Sequence, residues 1–442
     1  MTVNIKEKWQ HSVFHRVYNY KDERGRGRLC MMLSVVLSNL VAQLSNGLFL
    51  TSFLLLYDLD KSRIGILIFI PYMASLLNIF SPAILERFSK RKGILVGMKL
   101  FYYIVNILGV TLLPTLVQDA AGRVVGFIIL VLIANIMNQL ASSGWTAWQA
   151  EFLEKDVQVD YFQITNILQS SSGYVVVLVV SALGDAMAGT EYELILLTAV
   201  RYIAMVIAMA DCLIWLVPRE YPYVRKATIK ISNIFKLSIK NKPYLVTVLM
   251  LALYSFAVNL PSATLNAYLL EDLGVNYSLV IGVSMLFFVF CIILSPTAKR
   301  IVNKYDYYRS FMMVCFGELI SYILYAFVTP DTLWLFVLVR VMQHIIGALN
   351  VSVNNPIFYE VLPEEDRTNY LSFHTILING AIFLSMMLGT LLAGILGDGA
   401  IQLFGYGFTS TQLCMLGCSV LLGCTILVLR KMEKMFGKKK SN

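Results

Sequence analysis

Residues 29–57 read LCMMLSVVLSNLVAQLSNGLFLTSFLLLY, a stretch without a charged side chain. A helix needs about 20 predominantly apolar residues to cross the hydrocarbon core of a bilayer. An apolar run of this length forms a helix there, because a helix satisfies all of its backbone polar groups internally. The run therefore predicts a first transmembrane helix.

Eleven further apolar runs follow, and together they predict an all-α membrane protein with 12 transmembrane helices. They cover residues 64–85, 93–117, 124–148, 161–183, 194–217, 243–270, 278–298, 310–328, 334–359, 370–397 and 413–429. The resulting organisation is a basic N-terminal tail (1–28), a six-helix half (29–217), a cytoplasmic linker (218–242), a second six-helix half (243–430) and a basic tail (431–442).

The composition agrees with this fold class. Hydrophobic residues make up 58% of the chain and charged residues 14%, against about 45–50% and about 25% in soluble domains. This excludes an ordinary cytosolic enzyme, a disordered chain and a secreted disulfide scaffold. All seven cysteines lie in apolar runs without a CxxC pair, so we expect small buried side chains, no disulfide, no metal site and no cofactor.

The distribution of Lys and Arg predicts the orientation. With the N-terminus inside, 30 of the 36 basic residues fall in cytoplasmic segments, and three each fall in opposite loops and within spans. Basic residues favour the cytoplasmic side, so both termini are predicted to be cytoplasmic in a multi-pass cell-membrane protein. The net charge of +9 belongs to the inner membrane face, and no nucleic-acid partner is expected.

The N-terminal tail contains apolar side chains at helical spacing beside Lys and Arg. Trp9, Val13, Val17 and Tyr20 follow this spacing. One interpretation is a helix that lies on the inner leaflet, and the alternative is a loosely ordered basic tail.

The 12 runs contain an internal repeat. Residues 55–59 (LLYDL) are echoed by residues 269–273 (LLEDL), and the Ser-Pro pair at 81–82 is echoed at 295–296, both at an offset of 214. A Glu and a Tyr at 151 and 161 are echoed at 360 and 370, at an offset of 209. The order of these matches predicts two six-helix pseudo-repeats.

The loop after the second run reads PAILERFSKRK at residues 82–92. It resembles the Gly-x-x-x-Asp-Arg-x-Gly-Arg-Arg/Lys loop of bacterial-type major facilitator superfamily (MFS) transporters, with Glu86 for the Asp, Arg87 kept, and Arg91 in the basic run. Pro82 and Ser89 replace the two glycines. Residues 363–367 (PEEDR) similarly resemble the family's Pro-x-x-x-Arg loop after the tenth helix.

The resemblance implies an MFS fold with the substrate site between the two halves, near the bilayer midplane. It also implies that spans 1, 4, 7 and 10 line a cavity, that spans 2, 5, 8 and 11 lie beside them, and that spans 3, 6, 9 and 12 are supports. Glu86, Arg87 and Arg91 would then form a gating loop that helps to close one face.

Polar side chains at bilayer depth are costly and mark functional positions. The substrate-binding candidates lie on spans 1, 4, 5, 7, 10 and 11. They are Asn39, Gln43, Asn46, Asn135, Asn138, Gln139, Trp145, Gln169, Asn259, His344, Asn350, Asn354 and Asn379. The alternative is that these groups bond neighbouring helices, at about 0.6–2 kcal/mol each.

Titratable side chains within the spans are the candidates for ion coupling. His344 is the best placed, since its unperturbed pKa near 6.5 allows proton exchange near neutrality, and Arg340 lies one turn away on the same face. Asp211 and Glu318, with Arg201, fall on support spans, where structural pairing is favoured and a proton relay is the alternative. Lys99 is expected to snorkel to the cytoplasmic interface.

The amides favour a cargo that both donates and accepts hydrogen bonds, such as a sugar or glycoside. The sequence thus predicts a monomeric secondary active transporter that moves a small organic solute by alternating access, with protons as coupling ion and membrane lipids as surroundings. The alternatives are efflux of lipophilic compounds on the same fold, a membrane-embedded transferase and a non-transporting receptor.

Overall fold

The computed structural model describes residues 13–85, 88, 90–153, 157–220, 231–363, 367–397, 399–403 and 405–436, which are mostly helical. The helices up to residue 220 are α1 (Val13–Val17), α2 (Glu23–Ser45), α3 (Gly47–Leu55), α4 (Lys61–Ser75), α5 (Ser81–Leu85), α6 (Lys92–Tyr103), α7 (Val110–Leu116), α8 (Ala120–Ala150), α9 (Gln158–Met187) and α10 (Tyr192–Ile214). After them come α11 (Ile231–Lys240), α12 (Lys242–Asn259), α13 (Leu265–Ala267), α14 (Tyr277–Ala326), α15 (Leu333–Val361), α16 (Arg367–Leu396) and α17 (Ser410–Phe436).

Short segments of other helix types join some of these elements. Residues Leu76–Phe80 and Pro330–Thr332 are 3₁₀ turns. Residues Ile104–Gly109 and Tyr268–Asp272 are π-helical, a conformation that often marks functional sites. A two-stranded antiparallel hairpin, Ile401–Leu403 with Tyr406–Phe408, precedes α17.

Side-chain caps set the start of several apolar helices. Asp22, Asp60, Asp119 and Asn241 each accept a hydrogen bond from the backbone N–H three residues on, at 2.6–3.3 Å. Each cap satisfies one of the N–H groups that have no partner within the helix. The predicted first span therefore begins six residues later than the helix, because Asp22 and not the end of the charged run starts α2.

Ten helical segments of the described chain are long and apolar enough to cross a membrane. Two shorter apolar segments, Ser171–Met187 and Tyr277–Cys291, overlap the predicted fifth and eighth spans. The all-helical membrane class is therefore confirmed, while the count of 12 stays a prediction.

The contacts within the chain divide it into two compact units. The first contains Met1–Tyr57 and Leu77–Thr228, and the second contains Asp58–Leu76 and Ile229–Asn442. In the second unit α4 packs closely on α16, and an ideal Cβ on Gly65 would lie only 2.4 Å from Thr390 Oγ1. The predicted tail, linker and half boundaries stay predictions.

The N-terminal segment is part of the core of the first unit. Val17 and Tyr18 are buried with Trp148, Phe152 and other apolar side chains, while Tyr20 is 60% exposed. The interpretation of this segment as a helix lying on the leaflet is therefore wrong for Val17, and Trp9 falls outside the described residues. The side chain of Val17 packs inward because this N-terminal arm, residues 13–22, contacts α2 and α9.

Hydrogen bonds hold this arm to two helices, α2 and α9. Arg28 of α2 donates to the carbonyls of Val17 at 2.6 Å and Phe152 at 3.1 Å. The hydroxyl of Tyr18 lies 3.0 Å from Thr165 Oγ1 of α9. Burial raises the pKa of Tyr18, against smaller lowering effects of Thr165 and Arg28, so the phenol stays protonated at physiological pH.

Candidate functional site

Four of the eleven predicted amides are hydrogen-bonded to their own helix or to a neighbouring segment. Asn39 donates to the carbonyl of Gln169 on α9 at 3.2 Å, and Asn46 accepts from Asn106 at 3.4 Å. Asn135 and Asn259 each donate to the carbonyl four residues earlier on their own helix, at 2.8 Å. Asn39 and Asn46 thus join different segments, whereas Asn135 and Asn259 are bonded within their own helix.

Other predicted amides keep their side chains available. Six of them make no side-chain hydrogen bond within the part of the chain that the structure describes: Gln43, Asn138, Gln139, Gln169, Asn354 and Asn379. Gln43 is exposed and the other five are half-buried. These six amides are the groups that a solute could bind directly.

The aromatic candidate Trp145 packs among other rings of the first unit. Its ring lies 4.8 Å from the ring of Trp215 and 5.7 Å from that of Trp148. Lys99 Nζ lies 5.2 Å from the centre of the Trp145 ring, within the range of a cation–π contact. The Trp145 ring thus lies at one side of a cluster of charged side chains that includes Lys99.

That cluster is centred on Asp211, which is fully buried. Its carboxylate accepts hydrogen bonds from Ser34 at 2.5 Å and from Tyr103 at 2.6 Å, and Lys99 Nζ lies at 2.7 Å. Trp215 Nε1 donates to Ser34 Oγ at 2.6 Å. Both oxygens of Asp211 have donors, and the cluster ties α2, α6 and α10 together.

The predicted snorkelling of Lys99 is wrong. Its ammonium group points to Asp211 on α10 and also donates to Ser34 at 3.1 Å. A buried carboxylate without a cation would be far more costly than the loss of contact with water at the interface, so the pair is favoured. Asp211 therefore has the structural partner that the sequence favoured for it, but from span 3.

Arg201, also on α10, is buried and pairs with backbone. It donates to Thr111 Oγ1 at 2.7 Å, and to the carbonyls of Ser45 and Asn106 at 3.0 Å and Ile107 at 3.3 Å. Those carbonyls belong to irregular backbone: α2 ends at Ser45 before Gly47, where φ is +57°, and 106–107 lie in the π-helix. Arg201 thus satisfies carbonyls that the broken helices leave without partners.

The second unit contains a buried carboxyl of a different kind. Glu318 on α14 accepts from the hydroxyl of Tyr254 on α12 at 2.9 Å. Asn350 Nδ2 on α15 donates to the same hydroxyl at 2.7 Å. Glu318 Oε2 and Asn350 Oδ1 are buried and have no hydrogen-bond partner among the described residues.

Tyr254 was missed by the sequence reasoning. The abundance of aromatic residues in the spans concealed it, although its hydroxyl group at bilayer depth on a predicted cavity span was a usable signal. Through this hydroxyl the structure brings together Glu318, a coupling candidate, and Asn350, a substrate-binding candidate. We call these three side chains the Glu318 triad.

His344 and Arg340 lie on α15 as expected, but they have few polar contacts. His344 is buried, its ring lies 5.8 Å from that of Phe287, and its Nε2 has no partner among the described residues. Arg340 donates to Gln343 at 3.1 Å on its own helix. Their coupling role stays a prediction.

Of the predicted gating loop, Glu86 and Arg87 lie outside the described residues. Arg91 donates through its backbone N–H to the carboxylate of Glu220, and Lys92 N–H donates to it at 2.9 Å. Lys92 Nζ donates in return to the carbonyls of Leu216 and Pro218 at 2.7 and 2.8 Å. The start of α6 and the start of the linker therefore cap each other.

No group of three or more His, Cys, Asp or Glu side chains in the described part of the chain could hold a metal ion. Five of the seven cysteines are buried, with Cys291 half-buried and Cys424 exposed.

The sequence matches the Major Facilitator Superfamily over residues 31–331 and 247–440. The chain belongs to this superfamily. The MFS resemblance of the sequence is therefore confirmed, and membership makes the chain a transporter rather than an enzyme. No curated protein matches the sequence.

Solved MFS-type structures share the fold. A bacterial homologue of the iron transporter ferroportin, in an inward-facing state, has a TM-score of 0.70 at 13% identity, with 92% of this chain and 98% of that chain covered. The POT family transporter PepTSo has a TM-score of 0.68 at 11% identity, with 94% of this chain and 99% of that chain covered. A variant of the nucleoside transporter NupG has a TM-score of 0.67 at 14% identity, with 93% of this chain and 100% of that chain covered. At these identities the likeness concerns the fold alone.

Proposed function

We propose that this MFS transporter spans the cytoplasmic membrane 12 times, with both termini cytoplasmic. We further propose that it moves a small neutral polar solute, such as a sugar or glycoside, by proton-coupled alternating access. The asymmetry of Lys and Arg between loops supports the orientation. The six available amides support the cargo class, because an amide can both donate to and accept from a hydroxyl group.

The Glu318 triad carries the proposal of proton coupling. A carboxyl group that carries a proton in the membrane must be able to gain it without destroying the packing around it. Oε1 of Glu318 has the Tyr254 donor, while Oε2 has no partner among the described residues. Protonation at Oε2 therefore breaks no existing hydrogen bond, and no Lys or Arg of the described chain pairs with the group.

The triad also provides a route from the solute to the proton. Asn350 Oδ1 is a buried acceptor without a partner among the described residues, and a hydroxyl of the solute can donate to it once the alternating-access movement exposes it. Because bonded polar groups polarise one another, a change at the Asn350 amide alters the Tyr254 hydroxyl and, through it, Glu318. Solute binding at one end and protonation at the other then depend on each other.

Asp211 lacks these properties, although it is the more deeply buried carboxyl. Both of its oxygens are occupied, one by Ser34 and the other by Tyr103 and Lys99. Protonation of Asp211 would break an ion pair and leave the Lys99 cation in a nonpolar setting, which is costly. We assign Asp211 a structural role, and His344 is the alternative proton carrier.

The test uses purified protein in proteoliposomes, a panel of sugars and glycosides, and an imposed pH gradient. We expect Glu318→Gln to retain solute counterflow within about twofold, since counterflow needs no net proton movement, and to lose accumulation driven by the gradient. His344→Gln is the matched control and keeps both. Gln43→Ala weakens solute transport in both assays.

Gradient-driven accumulation by Glu318→Gln would refute the role of Glu318, and its loss in His344→Gln alone would transfer the role to that residue. Transport confined to lipophilic compounds would overturn the proposed cargo. Counterflow also separates a transporter from a receptor, which exchanges no solute.

A further inference from the structure

Helix α11 (Ile231–Lys240) lies in the predicted linker, directly before a membrane-spanning segment. Only Asn241 separates it from α12, and the side chain of Asn241 accepts from Tyr244 N–H at 3.3 Å to cap that helix. Because α12 is long and apolar enough to cross the bilayer, the chain holds the C-terminal end of α11 at the membrane surface.

One face of α11 packs on α16 within the second unit. Ile234 and Ser238 are 2% and 0% exposed. At the edge of this face the Phe235 ring lies 5.9 Å from that of Phe373 on α16 in an edge-to-face contact, and the Tyr370 hydroxyl is 3.5 Å from the carbonyl of Leu237. The orientation of the helix about its axis is therefore fixed.

The exposed side of the helix, which begins at the edge of the docked face with Phe235, carries apolar and basic side chains in two adjacent rows. Phe235 and Ile239 are 40% and 56% exposed, and Lys236 and Lys240 are exposed beside them. Residues four apart lie one above the other on a helix, so each pair forms a row. Apolar side chains beside a row of lysines are the pattern of a helix that binds a membrane surface.

The charge of the surrounding segment matches an anionic surface. Residues 221–242 contain six Lys or Arg side chains and no acidic one. Basic clusters next to a transmembrane helix bind anionic lipids. Each Lys or Arg near the surface raises the affinity about fivefold. A membrane of anionic lipid is therefore the occupant that fits both rows.

We propose that the outer face of α11 is a binding surface for anionic phospholipid. Phe235 and Ile239 enter the acyl-chain boundary, and Lys236 and Lys240 bind the lipid phosphates. The surface is independent of the cargo and of the proton route, and only the name of the leaflet, the inner one, rests on the proposed orientation.

The first experiment locates the face in the bilayer. The full chain with Ile239→Trp is reconstituted in vesicles of phosphatidylcholine and phosphatidylglycerol that carry bromine on the acyl chains, and its tryptophan fluorescence is compared with that of the wild type. We expect the additional fluorescence to be quenched. An unquenched signal, as water or a covering protein segment would give, overturns the proposal.

The second experiment tests the lysines through lipid binding, measured as the phosphatidylglycerol needed to raise the melting temperature in detergent. We expect Lys236→Gln with Lys240→Gln to raise this concentration about 25-fold. Lys431→Gln with Lys434→Gln, the same charge change at exposed lysines of α17, leaves it within about twofold. Equal effects of the two pairs, or no effect of the first, would refute the assignment.

Discussion

The Lys99–Asp211 pair allows a quantitative test of the structure. The ammonium group lies 2.7 Å from a carboxylate that is 0% exposed. Lys99→Met keeps the length and apolar stem of the side chain but leaves Asp211 with only the hydroxyl groups of Ser34 and Tyr103 as donors. Breaking a buried pair from one side costs about 3–5 kcal/mol, because the remaining charge is uncompensated.

Because the two hydroxyl groups still donate to Asp211, we expect Lys99→Met to lower the free energy of unfolding by about 3 kcal/mol, the lower end of that range. For a unit of about 200 residues, 1 kcal/mol changes Tm by about 2–4 °C, so we expect a drop of about 6–12 °C. A thiol-reactive dye measures it, since five buried cysteines react only when the protein unfolds. The double variant Lys99→Met with Asp211→Asn removes both charges and should recover most of the loss.

The control is Lys431→Met, which removes an exposed lysine and should change stability by less than about 0.5 kcal/mol. A Lys99→Met variant as stable as this control would show that the buried pair is absent in the membrane. A double variant as unstable as Lys99→Met alone would show that the lysine acts through its apolar stem and not through its charge.

Three further predictions concern side-chain packing and hydrogen bonding. Arg201→Lys should lower Tm by at least 4 °C, because one ammonium group cannot reach carbonyls on two broken helices, and each unsatisfied carbonyl costs about 1–3 kcal/mol. Tyr18→Phe loses the bond to Thr165, worth about 1 kcal/mol, and should speed proteolysis of the N-terminal arm. Gly65→Val places a methine 2.4 Å from Thr390 Oγ1 and should destabilise the protein by about 1–3 kcal/mol, as measured by its melting curve.

Each of these has a matched control. Arg201→Met should be at least as unstable as Arg201→Lys, and an unchanged Tm in either variant would contradict the four hydrogen bonds. Tyr20→Phe alters an exposed ring, and equal proteolysis rates for it and Tyr18→Phe would count against the docked arm. Gly97 has no atom within 4 Å of an added Cβ, and glycine is a poor helix former, so Gly97→Val should not lower the melting temperature.

Much of the fold could be predicted because it depends on local chemistry. The apolar runs predict helices, and they fail mainly at the ends, where a capping side chain such as Asp22 decides the start. The break between Ser45 and Gly47 was missed, since Gly and Asn inside an apolar run do not by themselves end a helix. The satisfaction of the freed carbonyl depends on Arg201, 156 residues away.

In the candidate site too, the sequence predicts local features but not the contacts between distant residues. The sequence identified polar residues at bilayer depth, but not which of them are already bonded to a neighbouring helix. Lys99 was misinterpreted because its partner Asp211 lies 112 positions later, and a lone lysine near a helix end has an inexpensive alternative in snorkelling. Tyr254 was missed because a phenol counts as apolar in composition yet forms the centre of the Glu318 triad.

The cations Lys99 and Arg201 have opposite genetic consequences. Lys99 is held by a side chain, so a defect at Lys99 can be repaired by a second change at Asp211. Arg201 is held chiefly by main-chain carbonyls, which are the same whatever residue is encoded. A selection for restored transport should therefore return second-site changes at Asp211 for Lys99 variants, but only true reversion or distant stabilising changes for Arg201 variants.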